Sequence, residues 1–88
     1  MKVLHANGEV TSMRKLEDGE QYLLKDLQEA VDGYVEIAWT GELDGELVHL
    51  LVNEEGQLWG LPFNEDGSRI AGRMLVGPVA VIRQRDIN

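Results

Sequence analysis

Two asparagines bracket the run Asn53-Glu54-Glu55-Gly56-Gln57-Leu58-Trp59-Gly60-Leu61-Pro62-Phe63-Asn64. An asparagine amide both donates and accepts, which suits recognition of a nucleobase edge or a carboxylate. Trp59 offers a ring on which a base can stack, and Gly60 leaves room for a ligand or a second backbone. Arg69, Arg73, Arg83 and Arg85 follow within the last stretch of the chain. A guanidinium fork reads a phosphate or carboxylate through two parallel hydrogen bonds. Asn53, Trp59, Asn64, Arg69, Arg73 and Arg83 therefore form a candidate ligand-binding set for a nucleotide or another anion. The same residues also have plain structural uses. Asn53 opens a turn that Gly56 closes, Asn64 caps a loop, Trp39 and Trp59 fill the core, and the arginines balance acidic neighbours.

Those neighbours are numerous. The chain has 16 acids against 8 bases, a net charge of −8. Between Glu17 and Asp66 fourteen acids meet one base, Lys25, for a net of −13, while the flanks carry +5. An acidic middle repels phosphate backbones and disfavours nucleic acid as a partner. It suits a basic protein surface, and Glu42, Asp44, Glu46, Glu54 and Glu55 are the candidate partner-binding residues. Acidity of this kind also simply aids solubility.

Other chemistries find less support. There is no cysteine, so no disulfide, thiolate zinc site or cysteine nucleophile. His5 and His49 stand far apart without a third ligand. His49 interrupts an apolar run and reads as a hydrogen-bonded core or interface histidine. Glu54, Glu55, Glu65 and Asp66 would need a dry pocket to act as acid–base partners, and a turn tip is wet. Asn64-Glu65-Asp66-Gly67 lacks the ligand spacing and closing Glu of a calcium loop. No phosphate loop, nucleophile elbow or dinucleotide fingerprint is present. We expect no cofactor, no metal and no enzymatic activity.

The elements that must position these residues follow from periodicity and turn chemistry. Asn7-Gly8 predicts a hairpin between 2–5 and 9–13, because both residues accept positive φ. Asp18 with Gln21 predicts a capping box. Leu23, Leu24, Leu27, Ala30 and Val31 keep helical spacing, so a helix is expected over 19–32, ended at Gly33. Residues 34–39 alternate as a half-buried strand. A loop is expected over 40–45, a central two-faced apolar strand over 46–52, a returning strand over 57–61, a short helix over 69–74 within the irregular stretch 62–76, and a last strand over 78–84. The fold class is α+β, a mostly antiparallel sheet of about five or six short strands with one main helix packed on it, in a single domain over 1–88.

Three pieces, Val31-Asp32-Gly33-Tyr34-Val35-Glu36, the run from Asn53 to Asn64, and Gly77-Pro78-Val79-Ala80-Val81, together resemble the family named domain of unknown function 3846. The resemblance spans nearly the whole chain and implies an origin in a phage, plasmid or bacterium. It implies no particular activity. The Gly- and acid-rich stretch 40–45 departs from the pattern.

Apolar runs fall far short of the roughly 20 residues a membrane helix needs, and the first residues lack a signal-peptide core. A cytoplasmic location is expected, that of the host cell if the chain is phage-encoded. The expected role is a non-enzymatic accessory protein of a phage or mobile element, binding a host or defence protein through its acidic surface. The alternatives are a small-ligand binder for a nucleotide or other anion, and a homo-oligomeric module paired through a free strand edge.

Overall fold

A computed structural model describes residues 1–87. Its strands are β1 (Lys2–Leu4), β2 (Val10–Ser12), β3 (Val35–Leu43), β4 (Glu46–Asn53) and β5 (Val79–Arg83). Its helices are α1 (Leu24–Val31) and α2 (Glu65–Ala71), and a 3-10 turn, Gln84–Asp86, follows β5. The strands form one antiparallel sheet in the order β2-β1-β5-β4-β3. The α+β class and the single main helix packed on the sheet are as the sequence predicts.

Strands β4 and β5 sit inside the sheet and are apolar on both faces. Leu51, Ala80 and Ile82 point to a first face, where Leu27, Ala30 and Val31 of α1 cover them together with Val3 and Tyr22. Leu50, Val52 and Val79 point to the opposite face, where Leu75 and the partly buried Ile70 and Ala71 cover them. Leu50, Leu51, Val79, Ala80 and Ile82 are each no more than 1% exposed. Full burial of a Leu, Ile or Val side chain is worth about 1.5–3 kcal/mol, so these two strands hold both layers.

Four expectations need correction. Helix α1 begins at Leu24, not at residue 19. The Tyr22 N–H donates to the Asp86 carbonyl at 2.7 Å, and Gln21 Nε2 donates to the Arg85 carbonyl at 3.1 Å. These contacts hold the approach to the helix against the C-terminal turn, so neither Asp18 nor Gln21 caps it. Asp26 does instead, its carboxylate accepting from the Leu23 N–H at 2.9 Å.

The expected loop 40–45 is mostly strand, and β3 runs on to Leu43 before turning at Asp44-Gly45. Both turn residues have positive φ, 52° and 84°, as a tight hairpin requires. A bulge between Ile37 and Trp39 turns Trp39 onto the second face, where its ring lies over Gly41 so closely that a Cβ there would collide with it. The expected strand 57–61 is absent, because the backbone of 56–61 closes local turns such as Trp59 N–H to Glu55 O at 3.0 Å. The second helix lies at Glu65–Ala71 rather than 69–74, since Asn64 caps it at its start.

Helix α2 reaches the sheet through a glycine. Gly67 is buried, and a Cβ on it would stand 2.7 Å from Val79 Cγ2. Gly67→Ala must therefore lift α2 from β5, and overpacking of this kind costs about 1–3 kcal/mol. Thermal denaturation is expected to show that loss, with the sheet signal retained.

Tyr22 marks the other layer. Its hydroxyl donates to the Arg14 carbonyl and accepts from the Met1 amine, both at 2.6 Å. Burial, reinforced by the Asp86 charge, raises its pKa above the usual tyrosine value. The neutral phenol therefore stabilises the fold fully below about pH 10, and that contribution is lost as pH rises through the higher folded value. Tyrosinate absorbance should show one tyrosine ionising late together with unfolding. The late step should be absent in Tyr22→Phe.

Candidate functional site

Asn53 and Asn64 are spent inside the fold. Asn53 Nδ2 donates to the carbonyls of Val31 and Asp32 at 3.2 and 3.1 Å, and its Oδ1 accepts from the Glu55 N–H at 2.8 Å. It thereby closes the C-terminal end of α1 and starts the following turn. Asn64 is wholly buried. Its Nδ2 donates to the carbonyls of Leu4 and Gly77, both at 2.8 Å, and its Oδ1 accepts from the Gly67 N–H at 2.9 Å. One amide so ties α2, β1 and the approach to β5 together. Both amide protons of each asparagine are used, which leaves no donor for a ligand.

The arginines point to separate places. Arg69 pairs with Glu65 and Asp66 on α2 at 3.2 and 3.3 Å. Arg73 donates to the Ala38 carbonyl at 3.1 Å, at the bulge of the edge strand β3. Arg83 pairs with Asp86 at 2.9 Å and lies 3.8 Å from Glu46, and Arg85 is exposed. The six candidate ligand residues scatter accordingly. Asn53 and Arg73 line a groove of about 260 Å³, Asn53 and Trp59 line another of about 230 Å³, and Arg83 lines a third of about 510 Å³.

The candidate acids divide as well. Glu42, Asp44 and Glu46 stand at the Asp44-Gly45 tip of the β3–β4 hairpin, while Glu54 and Glu55 follow its opposite end. At about 3.3 Å per residue, the eight residues of β4 separate the two groups by roughly 25 Å. They are two surfaces, not one.

His49 Nδ1 lies 2.7 Å from Thr40 Oγ1 across the β3–β4 pair, a hydrogen-bonded histidine on a half-exposed strand. Trp39 is half-buried, whereas Trp59 is 63% exposed, which corrects the expectation that both fill the core. Among the described residues no group of three or more His, Asp or Glu side chains is placed to hold a metal. Nor, among the described residues, is any helix long and apolar enough to cross a membrane.

Glu54 and Glu55 do meet something that periodicity did not assemble. Tyr34 is 65% exposed and Leu58 81%, and Tyr34 shares the 230 Å³ groove with Trp59, Gln28, Gly33, Asn53 and Glu55. The Glu54 N–H donates to the Tyr34 carbonyl at 2.8 Å, which clips the turn to the start of β3. The C-terminal end of α1 adjoins the groove through Gln28 and Gly33, and its carbonyls accept from the Asp32 and Gly33 N–H groups and from Asn53. Glu29 stands in its final turn and Asp32 at its cap, and that turn contains no basic residue. Two exposed aromatic rings thus share a groove with Glu55 beside this helix terminus, and Glu29, Asp32, Glu54 and Glu55 have no ion-pair partner among the described residues. The signal legible in the sequence was the outward phase of Tyr34 in its alternating strand. Its proximity to Trp59 depends on the turn over 54–61.

The asparagines, in contrast, should announce themselves through stability. Asn64→Ala would strand the Leu4 and Gly77 carbonyls and the Gly67 N–H, at about 1–3 kcal/mol for a buried unpartnered group. A loss of about 3 kcal/mol or more is expected in chemical denaturation.

A family model described as a domain of unknown function, DUF3846, matches residues 1–88. No curated protein and no solved structure matches the chain. The family match spans the β1–β2 hairpin, both helices, the Asn53–Asn64 turn and the final strand alike, and the chain belongs to the DUF3846 family.

Proposed function

We propose that this protein is a non-enzymatic binding module that holds a basic segment of a partner protein against Tyr34 and Trp59. One observation carries the reading: two exposed aromatic rings share a groove with Glu55 beside the C-terminal end of α1, whose last turn holds an acid and no base. A helix C-terminus favours cations. Here the chain supplies none in the last turn and adds Glu29 and Asp32 instead, with Glu54 and Glu55 on the turn clipped to Tyr34. An Arg or Lys side chain would gain from the helix end, from the carboxylates and from the ring faces together. Trp and Tyr are also the side chains most often found at the energetic centre of an interface.

Within this reading the acids at the Asp44-Gly45 tip belong to the soluble surface. The resemblance to a family of phage, plasmid and bacterial proteins is compatible with a small accessory protein acting on a host or defence protein in the cytoplasm. Absence of a catalytic motif in the sequence agrees with a role in binding rather than chemistry.

The test uses an amphipathic peptide carrying alternating Arg and Leu and a terminal fluorescein label, into which the protein is titrated while the anisotropy of the label is followed. Binding should weaken as salt is added, because exposed charge pairs are screened. Trp59→Ala, and Glu54→Lys combined with Glu55→Lys, should each weaken it about tenfold or more. Glu42→Lys combined with Asp44→Lys should leave it unchanged. Equal losses from both acidic clusters would reduce the effect to net charge, and the proposal would fail.

A further inference from the structure

We infer that the groove of about 510 Å³ at the end of the sheet where β5 stops binds a small amphipathic anion, an apolar body with one carboxylate or phosphate head held by Lys2 and Lys15. Helix α2 and the segments beside it cover Leu50, Val52 and Val79, which is only part of the second face. Further along, the register sets Lys2 opposite Val81 and Arg83 opposite Val48. Paired residues share a face, so Lys2, Val81, Val48 and Arg83 lie together on the stretch beyond α2. These four residues line the groove with Lys15 and with Met13, Leu16 and Tyr22, which belong to the first-face layer, so the groove spans the end of the sheet rather than one face. Its volume falls in the range of about 300–1,000 Å³ typical of small-molecule sites.

Charge selects the ligand. Arg83 is already neutralised by Asp86 and Glu46. Lys2 and Lys15 make no ion pair among the described residues, although acids outnumber bases two to one. With the Met1 amine, which donates to the Tyr22 hydroxyl, they are uncompensated cations of the groove, and both lysine side chains are exposed. Asp44 lines it from the hairpin tip. A second negative charge near Asp44 would be repelled, so the ligand carries its anion on the lysine side and its apolar part over Val48 and Val81. This groove shares no lining residue with the Tyr34–Trp59 site, and the inference stands independently of the proposed partner.

The experiment titrates isotope-labelled protein with decanoate, decyl phosphate and decyltrimethylammonium, each below its micelle concentration, and follows backbone amide shifts. Saturable shifts at Lys2, Met13, Val48 and Val81 are expected with one or both anions, and the tighter of the two identifies the head group. Lys2→Glu combined with Lys15→Glu should weaken binding about tenfold or more. Trp59→Ala should leave it intact. Absence of saturable shifts at these residues with both anions would overturn the inference. So would undiminished affinity in the double lysine variant, or equal binding of the ammonium compound, which would mean adsorption to apolar surface alone.

Discussion

Strands β4 and β5 are apolar on both faces, and a two-faced strand is stable only when something covers each side. Leu50 and Leu51 are neighbours in sequence, point in opposite directions and are both excluded from solvent. That requirement explains why the chain has two layers around one sheet. Helix α1 supplies the first with Leu27, Ala30 and Val31. The second is made by a seven-residue helix too short to stand alone, held in place by Asn64 and by the approach of Gly67 to Val79.

The second cover is incomplete, and both candidate surfaces follow from how the chain ends its elements. Helix α2 covers one part of its face, and beyond it Val48 and Val81 line a groove at the end of the sheet together with Met13, Leu16 and Tyr22 of the first layer. At the far end of β4, Asn53 closes α1 and starts the turn that carries Glu54, Glu55 and Trp59. Internal asparagines therefore build the surfaces without touching what those surfaces would hold. The exposed residues around them, Tyr34 and Trp59 at one end and Lys2 and Lys15 at the other, are free to interact because no internal contact consumes them.

Charge is distributed by the same logic. Arg14, Arg69 and Arg83 are consumed by nearby acids, and Arg73 by a backbone carbonyl at the β3 bulge. What remains is an acidic aromatic end and a groove with two unpaired lysines. The bulge and Arg73 also interrupt the long outer edge of β3, a device that protects an edge strand from pairing with another chain.

The α+β class, the helix from the spacing of Leu27, Ala30 and Val31, the central position of β4 and the Asn7-Gly8 hairpin were legible in the sequence, because each rests on local periodicity or turn chemistry. The family could also be read from the run between Asn53 and Asn64. The start of α1 was not legible, since contacts of Gln21 and Tyr22 with the distant residues Arg85 and Asp86 override the capping pattern at Asp18. Nor could the sequence distinguish a strand from a turn over 57–61, because that choice depends on whether a partner strand exists. Composition showed that acids and arginines were present. Only the tertiary structure decided that Glu42 and Glu54 lie at opposite ends of a hairpin, that the arginines scatter, and that Tyr34 and Trp59 line one groove. Asn53 and Asn64, which opened the search for chemistry, proved to be the joints of the fold, because their hydrogen-bond partners lie on elements that only folding brings together.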